Sequence, residues 1–237
     1  MTPDEGDGEG VTITLAGLPE LVPQTVNVPG DPSAAAFAIV AALIIKGSDL
    51  VVQNVLINPL RTGLIDTLLE MGGDIAFINQ RETGGEHIAD LRVRSSWLKG
   101  ITISARHGRA LIDDIGPLAV AAAYAQGETT INGLAGLSAA QDDKLALLAA
   151  GLRANKVSAV LEGGSLRLGG DGKVAGGGRV ESGGDARLAM SFAVLGLASR
   201  HRVTVSGAAA IADSFPDFVA SMRAVGGHFP PTKPSKN

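Results

Sequence analysis

Three stretches of this chain are apolar nearly all the way round a helix. They read "GDPSAAAFAIVAALIIKG" from residue 30, "DDIGPLAVAAAYAQG" from 113 and "GDARLAMSFAVLGLASR" from 184. A helix without a polar face is buried on every side. The pattern therefore predicts interior helices near 32–46, 115–126 and 186–199. Each is followed by a short β-like run ("DLVVQNV", "ETTINGL", "HRVTVSG") and then by a second helix ("RTGLIDTLLEMGG", "QDDKLALLAAGLR", "SFPDFVASMRAVGG"). In the first two units short alternating strands close the pattern, as in "ADLRVRS" and "GSLRLGG". Leu91 and Val93 alternate there with Arg92 and Arg94, which gives a strand one dry and one wet face.

The aspartates that lead the apolar helices, Asp31, Asp113 and Asp185, recur at similar intervals, so the chain carries a threefold internal repeat. The expected fold is α/β: three βαβαββ units around a shared helical core, helices buried and sheets outside. That is the reverse of a doubly wound nucleotide-binding fold. The expected organisation is a flexible acidic start at 1–10, one domain over 11–229 with repeats at about 22–104, 105–170 and 178–229, and a flexible tail at 230–237.

Composition narrows the chemistry. The 237 residues allow a sizeable core, and the absence of cysteine excludes disulfides and thiolate sites and fits a reducing, cytoplasmic compartment. His87, His107, His201 and His228 show no metal-ligand spacing, so no metal is expected. A net charge of −4 with no long basic stretch argues against nucleic acid. The longest apolar run, 34–45, is too short to span a membrane. "GGDGKVAGGG" at 169–178 has a Gly-Lys pair, but Val174 stands where a phosphate loop needs Ser or Thr, so it reads as a glycine-rich hairpin loop.

"SAAQDDKLALLAAGL" at 138–152 admits two readings. Paired acids beside a lysine suit the rim of an active site. Ser138 with Gln141 three positions on is also a capping box, and Asp142 and Asp143 then sit at the favoured end of a helix dipole. Arg106, His107 and Arg109 form a small basic patch ahead of Asp113, either an anion contact or a solvated loop.

"VPGDPSAAAFAIVAAL", "NVLINPLRTGLIDTLLEMGGDI", "ADLRVRSSWLKG" and "SFPDF" resemble the C-terminal half of the 5-enolpyruvylshikimate-3-phosphate synthases. The likeness is closest to the glyphosate-tolerant bacterial class and runs from about residue 11 to 229. The resemblance implies enolpyruvyl transfer from phosphoenolpyruvate to shikimate 3-phosphate, without metal or organic cofactor, in a cleft between two domains. One of those domains corresponds to this chain. It further implies that Asp113 matches the family's aspartate that accepts or orients the hydroxyl proton. The family motif Arg-Val-Lys-Glu-Ser-Asp-Arg falls on "SAAQDDK". Its lysine is replaced by Ala140, its proton-transferring glutamate by Gln141 and its last arginine by Lys144. The family's Asp-His-Arg becomes Asp185, Ala186 and Arg187, which makes Lys144, Asp185 and Arg187 the substrate-binding candidates. An amide cannot give up or take a proton near neutral pH as a carboxyl can, and a lysine lacks the bidentate fork of arginine. The resemblance thus implies a half-enzyme, inactive alone, that meets both substrates only with a complementary domain. The alternative is a non-catalytic scaffold or anion-binding module. A domain face normally covered by a partner also invites self-association.

Overall fold

A computed structural model describes residues 14–23 and 25–230. It also gives the backbone of a short antiparallel pairing between β1 (Thr2–Pro3) and β2 (Val11–Thr12). The ends expected to be flexible otherwise lie outside the described residues.

Asp31 starts the first interior helix. Its carboxylate accepts the Ser33 N–H at 3.0 Å, and Pro32 takes the first helical position, where no N–H is needed. Helix α1 (Pro32–Ile44) leads into β3 (Asp49–Leu56), α2 (Gly63–Glu70) and the hairpin of β4 (Asp74–Thr83) and β5 (Glu86–Arg94). The second unit holds β6 (Thr102–Ile103), the short α3 (Ala105–Ala110), a 3-10 turn over Ile112–Asp114, α4 (Ile115–Ala123), β7 (Gln126–Ile131), α5 (Ala139–Ala154), β8 (Ser158–Glu162) and β9 (Ser165–Asp171). The third holds β10 (Arg179–Glu181), α6 (Ala186–Ala198), β11 (Thr204–Ser206), a 3-10 turn at Ala208–Ala210, α7 (Ile211–Ser214) and α8 (Phe218–Ala224).

The units share one plan. The segment before each interior helix runs parallel to the strand after it: β6 beside β7, β10 beside β11, and in the first unit a single bridge from Gly30 to Val55. The hairpins then extend the sheets antiparallel, in the orders β3–β5–β4 and β6–β7–β9–β8. The third unit differs. Its described residues form βαβα and stop without a closing hairpin, because Gly226, Gly227 and Pro230 follow α8 instead of an alternating run. The glycine-rich stretch after β9 is not a hairpin loop either. It carries the chain from one sheet to the next, and Gly176 makes a parallel bridge to His201 on the way.

Helices α1, α4 and α6 pack against one another at the centre, and every residue of α4 is buried. Small residues let them approach closely. A Cβ on Gly116 of α4 would strike the Ser191 hydroxyl of α6, and one on Gly151 of α5 would strike the Phe192 ring. The second helix of each unit packs on the first helix of the next, α2 on α4 and α5 on α6. Helix α8 then returns to α1, where the Phe37 and Phe218 rings meet edge to face with centroids 5.9 Å apart. The three units therefore close into a ring.

Outside this core the sheets present their wet faces. Leu91 and Val93 are fully buried, while Arg92 and Arg94 point outward to Asp49 and Asp74. Asp90, on the same central strand, is the exception. Both neighbours of β5 shift register beside it, between Val52 and Val55 and between Ile78 and Arg81. Asn54 and Asn79 take positive φ at those bulges, 58° and 51°, which asparagine tolerates better than most residues. Asp90 accepts the Asn54 N–H at 2.9 Å, the Asn79 amide at 2.9 Å and Arg81 at 3.3 Å. These donors, the Asn54 N–H foremost, hold its carboxyl below the usual carboxylate range although it is buried.

Candidate active site

The first turns of the three interior helices open onto one cleft of about 700 Å³, lined among others by Ser33 of α1, Asp113 and Asp114 ahead of α4, and Arg187 of α6. Each helix brings the positive end of its dipole to the rim, which favours anions. The buried repeat thus builds the site's floor.

Arg187 ties two of these elements together. It donates to the Asp113 carbonyl at 3.0 Å and lies 3.9 Å from the Asp114 carboxylate. The Asp113 carboxylate itself remains exposed at the rim. Asp114, not Asp113, takes the N-cap position of α4, yet its side chain accepts no capping hydrogen bond. Burial pushes its carboxyl up from the usual range, Ser33 and Arg187 beside it pull the other way, and the neighbouring Asp113 and Asp31 add to the rise. Across the cleft, Arg61 reaches the α1 cap Asp31 at 3.0 Å, both side chains half in water.

The remaining candidates form a second group around the start of α6. Asp185 caps that helix through the Leu188 N–H at 2.7 Å and pairs with Lys144 at 3.3 Å. The Lys144 side chain is only 15% exposed. Gln141 is held by the capping box of α5, where it accepts from the Ser138 N–H at 3.1 Å and the Ser138 hydroxyl at 3.0 Å. Asp142 sits in the first turn of the same helix. Asp113 and Arg187 therefore line the cleft together, whereas Gln141, Lys144 and Asp185 stand outside its wall. Of the basic patch, Arg106 and His107 line the cleft, while Arg109 donates to the Ala135 and Gly136 carbonyls at 3.0 and 3.4 Å.

Sequence reasoning passed over Ser33, Arg61 and Asp114. The signals were there: Asp114 is the second acid of a doublet, and Arg61 follows a turn-forming Asn-Pro-Leu. Which acid of the doublet turns inward is decided by the 3-10 turn, which no periodicity announces. Among the described residues no cluster of His, Asp and Glu could hold a metal ion, and no helix is long and apolar enough to cross a membrane.

Comparison with known proteins bears on this cleft. A family profile described as EPSP synthase (3-phosphoshikimate 1-carboxyvinyltransferase) matches residues 5–222. A 3-phosphoshikimate 1-carboxyvinyltransferase of Methylobacterium sp. (strain 4-46) is 52% identical over 223 residues, 94% of this chain and 50% of the relative. One from Pseudomonas sp. (strain PG2982) is 49% identical over 94% of this chain and 50% of its own length. Among solved structures, EPSP synthase from Acinetobacter baumannii superposes with a TM-score of 0.83 at 37% identity, over 90% of this chain and 49% of that one. The enolpyruvyl transferase NikO from Streptomyces tendae shares the fold, with a TM-score of 0.63 at 19% identity. The chain spans about half the length of the curated relatives it matches. With that reach and that level of identity, the chain belongs to the EPSP synthase family.

Proposed function

We propose that this chain supplies one wall of a 3-phosphoshikimate 1-carboxyvinyltransferase site and is inactive until a complementary half supplies the other. The observation that carries this reading is the cleft where Asp113 and Arg187 meet at the first turns of the interior helices. It is an open rim, not an enclosed pocket. Enolpyruvyl transfer from phosphoenolpyruvate to shikimate 3-phosphate needs a proton acceptor for the attacking hydroxyl, cations for phosphate and carboxylate, and exclusion of water. The exposed Asp113 carboxylate is the acceptor. Arg187, braced by the Asp113 carbonyl, is the anion contact. Lys144 and Asp185 are coupled to it through the start of α6, because Asp185 lies two residues before Arg187. Gln141 contributes no proton transfer, since its amide is neutral and is occupied by the capping box.

A phosphate-release assay with both substrates tests the reading. The chain alone is expected to give no turnover, and mixing it with the N-terminal half of the Methylobacterium relative is expected to give turnover that Asp113→Ala removes. Turnover by the unmixed chain would overturn the half-site. A second reading, an anion-binding module without catalysis, is favoured by the neutralised Lys144 and the committed Gln141. It predicts phosphate binding that Arg187→Ala weakens and no turnover in any mixture.

A further inference from the structure

The head of α4 carries more negative charge than its surroundings offset. Asp113 and Asp114 stand side by side there, and Asp31 of the α1 cap bears on Asp114 as well. Asp31 has a cation of its own, Arg61 at 3.0 Å. Asp113 faces water, which solvates its charge. Asp114 has neither. Its side chain is only 17% exposed, it makes no capping bond, and Ser33 of α1 is itself buried beside it. The cation that offsets it is Arg187 of α6, 3.9 Å away, and that guanidinium already donates to the Asp113 carbonyl. Further along the cleft stand Asp66 and Glu70 of α2 and Arg106 and His107 of α3.

An anion that engages Arg187 changes this balance twice over. It shares the guanidinium on which Asp114 depends, and it sets a further negative charge inside the cleft. Like charges repel more strongly there than in bulk water, because the effective dielectric is lower. A proton on Asp114 removes that repulsion and the cost of burying its charge together. It also turns the carboxyl from an acceptor into an O–H donor, whose hydrogen bond an oxyanion or the Ser33 hydroxyl accepts.

We propose that the cleft takes up an oxyanion and a proton together, the anion at Arg187 and the proton on Asp114. The step joins a solvent proton to the Asp114 carboxylate to give the carboxylic acid, with no other covalent bond made or broken. Linkage is reciprocal: the bound anion favours the proton, and acid favours the anion. Affinity therefore rises as pH falls. It climbs from a plateau above the carboxyl's value with anion bound to a second plateau below its value in the ligand-free chain. Burial already lifts Asp114 in the ligand-free chain, which moves this window toward neutral pH. Such a site holds its anion in mild acid and lets it go as pH rises. The inference rests on the proposed function only for Arg187 as the anion contact, and needs neither catalysis nor a second half.

The test titrates the full chain with sodium sulfate at constant ionic strength, at a series of pH values from neutral to mildly acid. Sulfate is tetrahedral like phosphate but keeps its double charge across that range, so any proton taken up goes to the protein. Binding is read by NMR from the Arg187 Nε–H and neighbouring amide signals. Expected is a dissociation constant that falls with pH, with a slope approaching about tenfold per pH unit, as one proton per anion requires. Asp114→Asn should lose the slope and bind at neutral pH as the parent does in acid. It gives up no capping bond, so its fold should survive, which circular dichroism checks. The carbon-13 signal of the Asp114 carboxyl gives a second reading without any variant: its titration midpoint should move up when sulfate is added. Arg187→Ala should remove binding at every pH. Binding with no slope, or a slope that persists in Asp114→Asn, would overturn the proposal and leave Arg187 as an anion contact. A slope that disappears instead in His107→Gln or Asp113→Asn would also overturn it, by assigning the proton to that group. No shift at Arg187 with sulfate at any pH would overturn both the proposal and the anion contact.

Discussion

Asp90 and Asp114 are two aspartates taken partly out of water in different ways. Asp90 sits on the middle strand of the first sheet, with two bulges turned toward it and three donors on its oxygens. Asp114 stands at the head of α4 with no capping bond of its own, and the Arg187 guanidinium is 3.9 Å away. The first carboxyl is driven down from its ordinary value and the second up. A carboxylate whose desolvation is fully answered is a structural clamp. One left under-partnered in a cleft is a group the fold strains to hold, which is where functional chemistry tends to lie.

The most severe break of this comparison is a carboxylate with no donors at all. Ala122→Asp, in the fully buried α4, should cost about 3–5 kcal/mol and leave little folded protein, as read by urea denaturation. Asp90→Ala should come next. It strands the Asn54 N–H and the Asn79 amide at the bulges, and the thermal midpoint should fall by several degrees, with Asp90→Asn recovering only part.

The two aspartates should respond to pH with opposite signs. Because Asp90 is depressed in the folded state, its contribution is present above the ordinary value of 3.8 and is lost as pH falls through the lower folded value. Because Asp114 is raised, ionising it opposes folding. That penalty is full above the folded value and disappears as pH falls below 3.8. Asp114→Asn should therefore stabilise the chain at neutral pH by less than about 1 kcal/mol, since the carboxyl keeps part of its water, and the gain should vanish in acid. Denaturation midpoints measured for both variants from neutral to acid pH check the signs. If both lose stability together, the contrast is wrong.

The smallest expected effect concerns the capping box. Gln141→Glu leaves its geometry intact and adds a charge in the first turn of α5, so stability should rise by about 0.3 kcal/mol with no gain in turnover by the isolated chain.

Legibility in the sequence followed the range of the interaction. The apolar helices, the aspartate caps of α1 and α6 and the Ser138–Gln141 box depend on residues a few positions apart, and the text displays them. The Asp90 clamp does not appear there, because Asn54 lies 36 residues away and the bulges interrupt the alternation that marks a strand. The cleft was legible in part. Asp113 and Arg187 were found through a resemblance to a motif, whereas Asp114 and Ser33 join it only once α1, α4 and α6 lie side by side.

The contact of Phe218 with Phe37 has a consequence for how the molecule comes into being. Helix α1 receives Phe218 as a flanking partner only after every element between α1 and α8 has been synthesised. Until then the α8-facing side of α1 lacks Phe218. Ring closure is thus a long-range event, and the nascent chain must be kept from associating through that surface until α8 is made.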